Sequence, residues 1–201
     1  SFSPGVPKWR AGQGEGWVTA EYGMLPASTG RRKSRPILKP DSRATEIQRL
    51  IGRVLRSIVD VKKLGENTVA IDCDVLEADG GTRTASITGA YVALALAIDA
   101  AAAKGLCSPK VLKSAVAAIS VGVVGGQALL DLNYIEDSTA DVDMNIAMTR
   151  SGKFVEIQGT SEAAPFDGKA LDQMLSLARR GIRKLLAAQS AAITQGRKKR
   201  K

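Results

Sequence analysis

The stretch EADGGTRTASITGAYVALALAIDAAAAKG, residues 77–105, joins two kinds of hydrophobic pattern through a pair of glycines. The strand-like run TVAIDCDVLE ends just before this pair, Gly80 and Gly81, and a long apolar run of helical length follows it. Arg83 therefore lies at or beside a helix N-terminus, next to Thr82. Unpaired backbone N–H groups and the helix dipole attract anions to such a place, whereas a cation there opposes the dipole. The stretch thus predicts a strand, a turn and a buried helix, and it indicates a negative partner for Arg83.

Hydrophobic periodicity predicts the remaining elements on both sides of this stretch. Towards the N-terminus, GWVTAEYGM predicts a strand, residues 25–42 predict a long basic loop, and an amphipathic helix follows with Ser42 as N-cap and Gly65 as its stop. Towards the C-terminus, SAVAAISVGVV and ALLDLNYIED predict one hairpin, and VDMNIAMT and KFVEIQGT predict a second. A last amphipathic helix opens at Asp167 or Gly168. The order favours an α+β fold in which helices pack on a mixed sheet.

Composition excludes several classes of function. The chain has 201 residues, 44% of them hydrophobic and 24% charged, as expected for a soluble globular protein. It contains no histidine, which excludes Ser-His-Asp and Cys-His catalysis and histidine-ligated zinc. Cys73 and Cys107 form no C-x-x-C pair, and Cys73 falls inside a strand pattern as a small buried hydrophobe. No basic-then-apolar leader opens the chain, and the longest apolar run is too short to span a bilayer, so we expect a cytoplasmic protein without membrane contact.

The net charge of +9 is concentrated in two segments. The tail GRKKRK carries five positive charges, and residues 31–43 carry a net five more, which leaves the rest of the chain near neutral. Local basic patches indicate a polyanion partner more strongly than a uniformly basic surface does. We favour that interpretation for the internal loop, whereas the tail alone is better explained as a solubilising end.

Three groups of residues are candidates for ligand binding or catalysis. Gly81, Thr82 and Arg83 offer backbone N–H groups, a hydroxyl and a guanidinium to a phosphate, although they match neither a Walker A loop nor G-x-G-x-x-G. A helix start with an exposed arginine is the alternative. The loop GRRKSRP and Arg43 place a second arginine near a helix N-terminus, and two such starts suggest a shared oxyanion. Solvated loop charge would explain the loop but not both helix starts.

The third group is the acidic run YIEDSTADVDMN, which contains Glu136, Asp137, Asp141 and Asp143. Converging carboxylates repel one another, so they raise a pKa or attract a hard cation such as Mg²⁺. A polar loop between hairpins is the simpler explanation of the run by itself.

Five segments together closely resemble the ribonuclease PH family, phosphorolytic 3′-exoribonucleases related to polynucleotide phosphorylase and exosome ring subunits. They are GVPKWRAGQGEGWVTAEYGMLPASTGRR, EIQRLIGRVLRSIVDVKKLGE, IDCDVLEADGGTRTASITGA, EDSTADVDMNIAMT and IQGTSEAAPF. The resemblance extends from about Gly5 to Gln189. It implies a ribonuclease PH-like β-α-β-α fold (ribosomal protein S5 domain 2-like) over residues 1–195, followed by a basic tail, 196–201. The chain begins inside the family pattern, so the first strands of that domain are missing from it.

The resemblance also implies roles for nine residues. Inorganic phosphate, the co-substrate, would be held by Arg43, Gly81, Thr82 and Arg83. Catalysis, as general acid or as ligands of Mg²⁺, would fall to Asp137 and Asp143. The RNA would be gripped by Arg31, Arg32 and Arg35. The family usually has GGR at the first phosphate-binding arginine, where this chain has DSR, so Asp41 could compete with phosphate for Arg43.

The implied function is phosphate-dependent trimming of tRNA precursors and other RNA 3′ ends, which releases nucleoside 5′-diphosphates and is reversible. A homohexamer built as a trimer of dimers is implied as well. One alternative is a catalytically inactive, ring-forming RNA-binding subunit or fragment of the same fold. Another is a ribosomal-type RNA-binding α+β protein, which would explain the basic patches but not the acidic run.

Overall fold

The computed structural model describes residues 1–35, 41–163 and 165–199. Seven strands in this part of the chain are β1 (Phe2–Pro4), β2 (Trp17–Met24), β3 (Asn67–Val75), β4 (Val116–Val124), β5 (Gln127–Leu130), β6 (Val142–Thr149) and β7 (Phe154–Ser161). The helices are α1 (Ser42–Ser57), α2 (Val61–Leu64), α3 (Thr82–Ala103), α4 (Tyr134–Ser138) and α5 (Gly168–Lys198), and a 3₁₀ turn covers Lys8–Arg10.

The strands form two sheets. The first has the order β1-β3-β2 and is mixed, because β2 and β3 run parallel while β1 and β3 run antiparallel. The parallel pairing requires a long connection, and the loop with α1 and α2 supplies it. The second sheet has the order β5-β4-β6-β7 and is antiparallel throughout. Its two hairpins turn at Gly125-Gly126 and Ser151-Gly152, where all three glycines have positive φ. The predicted α+β class, with helices on a mixed sheet, is confirmed.

Three helices bury one face each in a core shared with both sheets. In α1 the buried positions follow the predicted helical spacing, and Ile47, Ile51 and Leu55 are inaccessible to solvent. α3 is long and apolar enough, by length and composition alone, to cross a membrane. It packs on β3 and β4 and against α1 and α5. The predicted strand that leads into residues 77–105, now β3, and the turn and helix within that stretch therefore lie at the centre of the fold.

Both ends of α1 differ from the sequence-based expectation. Asp41, rather than Ser42, caps α1, because its carboxylate accepts from the N–H groups of the first turn. α1 ends at Ser57 rather than near Gly65, since Asp60 caps the separate short helix α2, and Gly65 ends that one. These changes leave the buried face of α1 as predicted.

The predicted strand ALLDLNYIED is also shorter than expected. β5 stops at Leu130 because Asp131 takes a left-handed conformation, φ 62°, and Asn133 forms a capping box with Glu136 that begins α4. The start of the basic tail is helical as well, since α5 continues to Lys198 and Arg197 pairs with Asp99 at 2.7 Å. The last two tail residues and residues 36–40 of the basic loop lie outside the described residues.

Candidate functional site

The N-terminus of α3 has no side-chain cap among the described residues. Gly81 is the N-cap, with φ 72°, and contributes no side chain to cap the helix. A Cβ there would lie 3.2 Å from Thr84 Oγ1 and 3.4 Å from Ser120 Oγ, so glycine suits both the backbone conformation and the space. The hydroxyl of Thr82 lies 2.7 Å from that of Tyr22 on β2. The Thr82–Tyr22 contact thus fixes the start of α3 to the first sheet. The first N–H groups of the helix have no side-chain cap in the described structure and lie at the positive end of the helix dipole.

A cavity of about 980 Å³ opens at this helix end. The basic loop lines it on one side, and the start of α3 together with α4 lines the other. Six of the nine predicted site residues contribute to its wall: Arg31, Arg32, Arg43, Gly81, Thr82 and Asp137. The structure therefore brings together two arginines of the loop, the arginine at the start of α1, the glycine-threonine turn and one aspartate.

Arg83 lies outside the lining of this cavity. Its Nη1 donates to Gln158 Oε1 of β7 at 3.1 Å, and its Nη2 lies 3.6 Å from Glu46 Oε2 of α1. Glu46 follows Arg43 by three residues on the same helix, so Arg83 contacts the N-terminal part of α1. The guanidinium of Arg83 is thus already held by an amide oxygen and a carboxylate within the protein.

Asp143 on β6 interacts electrostatically with both Asp137 and Arg83. Its Oδ1 is buried and has no hydrogen-bond partner, while its Oδ2 accepts a long bond of 3.4 Å from Asn145. Burial raises the pKa of this carboxyl, the charge of Asp137 raises it further, and Arg83 acts in the opposite direction. Asp143 is therefore close enough to respond to both Asp137 and Arg83, although it does not line the cavity.

The donor set limits how a metal could bind. Within the described ranges no group of three or more carboxylate, histidine or cysteine side chains is arranged to hold an ion. Mg²⁺, however, is commonly bound by one or two carboxylates with water and phosphate oxygens completing the shell. The unpartnered Oδ1 of Asp143 and the nearby Asp137 fit that requirement.

Within residues 41–163 of the structure, Asp41 does not pair with the side chain of Arg43, although the sequence suggested that it could compete with phosphate for that arginine. Asp41 accepts from the backbone N–H groups of Arg43 at 3.0 Å and Ala44 at 3.4 Å, and it lies 3.8 Å from Lys33 Nζ. Among the residues that the structure describes, no ion pair joins Asp41 to the guanidinium of Arg43. Arg35 is exposed and does not line the cavity.

Sequence reasoning missed the residues that fix the walls of the cavity. Asp79 accepts from the N–H of Tyr134 at 2.6 Å, which joins the turn before α3 to the start of α4. Gly80 packs so closely on the backbone of Leu132 and Asn133 that a Cβ would overlap it. Asp79 and Gly80 directly precede Gly81, and this position in the sequence could have identified them as part of the site. The sequence gives no indication that Gln158 and Glu46 contact Arg83, because both are far from it along the chain.

Comparison with known proteins adds two kinds of likeness. The sequence model of the 3′ exoribonuclease family, domain 1, matches residues 2–98, and that of domain 2 of the same family matches residues 114–181. Among solved structures, a chain of the Archaeoglobus fulgidus exosome with RNA bound to the active site is 23% identical, with a TM-score of 0.74 over 94% of this chain and 76% of that one. Rice (Oryza sativa) Rrp46 is 14% identical, with a TM-score of 0.71 over 96% of this chain and 80% of that one. At these identities the structural likeness shows a shared fold.

Proposed function

The chain belongs to the 3′ exoribonuclease family, and from that premise we propose that it is a phosphate-dependent 3′–5′ exoribonuclease that trims tRNA precursors. The observation that carries the proposal is one cavity lined by the open start of α3, by Arg43 and by the arginines of the basic loop. Such a wall suits inorganic phosphate next to an RNA 3′ end. The Archaeoglobus fulgidus exosome, which shares the fold, has RNA bound to its active site.

The reaction requires neutralisation of charge more than covalent chemistry. An oxygen of inorganic phosphate attacks the phosphorus of the last phosphodiester, and the bond from that phosphorus to the 3′ oxygen breaks. The products are a nucleoside 5′-diphosphate and an RNA shortened by one nucleotide, whose 3′ oxygen takes up a proton. Two anions must approach each other in line, so positioned guanidinium and N–H groups lower the barrier. In our proposal Arg43, Gly81, Thr82 and Arg83 supply these groups, and Arg83 must turn from Glu46 to reach the phosphate.

Asp137 and Asp143 act at the leaving oxygen in this proposal. A carboxyl with a raised pKa, as burial gives Asp143, retains a proton closer to neutral pH and donates it to the departing 3′ oxygen. The alternative role for the pair, with both carboxyls ionised, is to hold Mg²⁺, which would neutralise charge on the phosphate oxygens when bound.

Further parts of the proposal concern the partners. Arg31 and Arg32, in the cavity wall, and Arg35 grip the RNA backbone. The chain assembles as a homohexameric ring in the cytoplasm, consistent with a fold shared with a chain of the exosome. Size measurement in solution tests the assembly, and a mass well below six chains would contradict it.

A catalytically inactive ring subunit is the second candidate. Arg83 favours it, because this guanidinium already contacts Gln158 and Glu46 and lies outside the cavity lining. In an inactive subunit the same contacts would simply stabilise the packing of α1, α3 and β7.

Incubation with a CCA-extended tRNA precursor, with and without phosphate, separates the candidates. Release of nucleoside diphosphates that depends on phosphate supports the exoribonuclease. RNA binding without any turnover supports the inactive subunit. Monophosphate release without added phosphate would indicate a hydrolase and would overturn the proposal.

A further inference from the structure

A second basic recess lies at the hairpin between β6 and β7, at the end of these strands away from Asp143. Its volume is about 200 Å³. The lining residues are Met148, Thr149, Arg150, Ser151, Gly152, Arg179, Ile182, Arg183 and Leu186. Three arginines therefore surround an apolar floor, and two hydroxyl groups come from the hairpin.

The arginines of this recess are held in position by local structure. Arg179 and Arg183 are four residues apart on α5, which places them on one face of the helix. The guanidinium carbon of Arg179 lies 5.0 Å from the centroid of the Phe154 ring. Gly152, with φ 79°, completes the turn that brings Arg150 and the hydroxyl of Ser151 to the same recess.

The positive charge at this recess is not compensated within the protein. No ion pair in the described part of the chain uses Arg150, Arg179 or Arg183, and no lining residue is acidic. On the other side of Arg150 a further cavity of about 480 Å³ is lined by Lys113 and Ser114. Like charges placed together oppose folding, so such an arrangement favours an anionic ligand.

We propose that this arginine recess binds phosphate groups of the RNA body, upstream of the 3′ end. Guanidinium forks match phosphate oxygens. The hydroxyls of Thr149 and Ser151 lie 3.0 Å apart and bond to each other, so the arginines carry the recognition. The recess is distinct from the catalytic cavity, because the six residues from Asp143 to Thr149 place it about 20 Å along β6. The claim that the bound RNA continues into the cavity rests on the proposed function, whereas binding at the recess does not.

A matched pair of double variants tests the proposal. Arg179→Gln with Arg183→Gln removes two charges from the recess. Arg180→Gln with Lys184→Gln removes two exposed charges from the same helix outside it. Binding of a long and a short RNA with the same 3′ end is measured without phosphate, over a range of salt concentrations.

We expect the recess variant to bind the long RNA several-fold more weakly. Its slope of log affinity against log salt should fall by roughly 0.7 for each arginine that contacts a single-stranded phosphate. The short RNA should be affected less, and the control variant should retain its affinity for both. An equal loss in both variants, or no loss in the recess variant, would overturn the proposal.

Arg150→Gln gives an independent check, because this side chain reaches the recess from the hairpin rather than from α5. It should weaken binding of the long RNA as well, and an unchanged affinity would count against the recess. A parent protein that binds RNA at the recess without releasing nucleoside diphosphates would contradict the proposed function and leave this inference standing.

Discussion

Arg83 has contacts within the fold and, in our proposal, a second role as a phosphate ligand. Its guanidinium lies at a helix start, where the dipole disfavours a cation, and the protein supplies Glu46 and Gln158 as partners. The ion pair is long, 3.6 Å, and the side chain of Glu46 is 44% exposed, so the pair contributes little free energy. The proposed exchange of Glu46 for phosphate at this guanidinium therefore costs little free energy.

Arg83→Ala should abolish phosphorolysis while most RNA affinity is retained, because the proposal assigns this guanidinium to phosphate rather than to the RNA backbone. Turnover is measured at increasing phosphate concentration, and RNA binding separately. Glu46→Gln is the matched control, since it removes the internal competitor and should lower the phosphate concentration needed for half-maximal rate. An unchanged apparent phosphate affinity in Arg83→Ala would mean that this residue does not bind phosphate.

Asp143→Asn should raise the thermal stability at neutral pH and abolish turnover. Burial raises the pKa of this carboxyl in the folded state, so its ionised form costs free energy at pH values above that raised pKa. The cost disappears below the pKa of the unfolded chain, about 3.9. The melting temperatures of parent and variant should therefore converge as the pH falls. A variant that is less stable than the parent at neutral pH would show that the carboxylate is stabilised by a partner.

At the scale of elements, the starts of α1 and α3, the short helix α4 and the basic loop form the cavity. α1 presents Arg43, α3 presents its open first turn, and the basic loop closes the remaining side. The turn before α3 is fixed to α4 through Asp79, which is how Asp137 comes to face Thr82. The geometry of the site thus depends on how the ends of these elements are capped.

Asp41→Ala should lower the free energy of unfolding by about 1 kcal/mol, because two N–H groups at the start of α1 lose their acceptor. Asp41→Asn preserves the capping oxygen and should remain close to the parent in chemical denaturation. Equal losses in both variants would point instead to the charge contact with Lys33, whose Nζ lies 3.8 Å away.

Arg31→Ala and Arg32→Ala should weaken RNA binding and reduce its dependence on salt, since these loop residues are proposed to contact the phosphate backbone. The phosphate dependence of the rate should change little. Titration of labelled RNA at several salt concentrations measures the first effect. A loss of phosphate affinity without a loss of RNA affinity would reverse the roles of the loop and of Arg83.

Across the whole molecule, α5 is joined to α3 and to the second sheet through a buried polar contact. Gln189, 3% exposed, donates from Nε2 to the carbonyl oxygens of Thr88 on α3 at 2.8 Å and of Val116 on β4 at 2.9 Å. Its Oε1 is buried and has no partner. The contact therefore fixes the angle of α5 to the core at the expense of one unsatisfied acceptor.

Gln189→Leu should lower the free energy of unfolding by about 1–3 kcal/mol, since two buried carbonyl groups lose a donor. Gln173→Leu, at an exposed position of the same helix, serves as the control and should change stability little. Urea denaturation measures both. A neutral result for Gln189→Leu would show that packing of the leucine compensates for the lost bonds.

Local patterns in the sequence determined most of the elements. Periodic apolar residues predicted the buried faces of α1 and α5, and the turns at Gly125-Gly126 and Ser151-Gly152 predicted the two hairpins, because each signal involves residues close together in the chain. The glycine-threonine-arginine turn at the start of α3 was predictable for the same reason. The boundaries near Asp41 and Asp131 were not, since neighbouring capping residues compete and small differences in free energy decide between them.

Only the tertiary structure decided which of these residues meet. Arg43 and Asp137 share a cavity with Thr82, whereas Arg83 is drawn to Gln158, 75 residues away along the chain. The unpartnered oxygen of Asp143 and the grouping of Arg150 with Arg179 depend equally on packing. Such contacts result from how helices and strands bury their apolar faces, and that packing brings polar groups together whose spacing along the chain carries no signal.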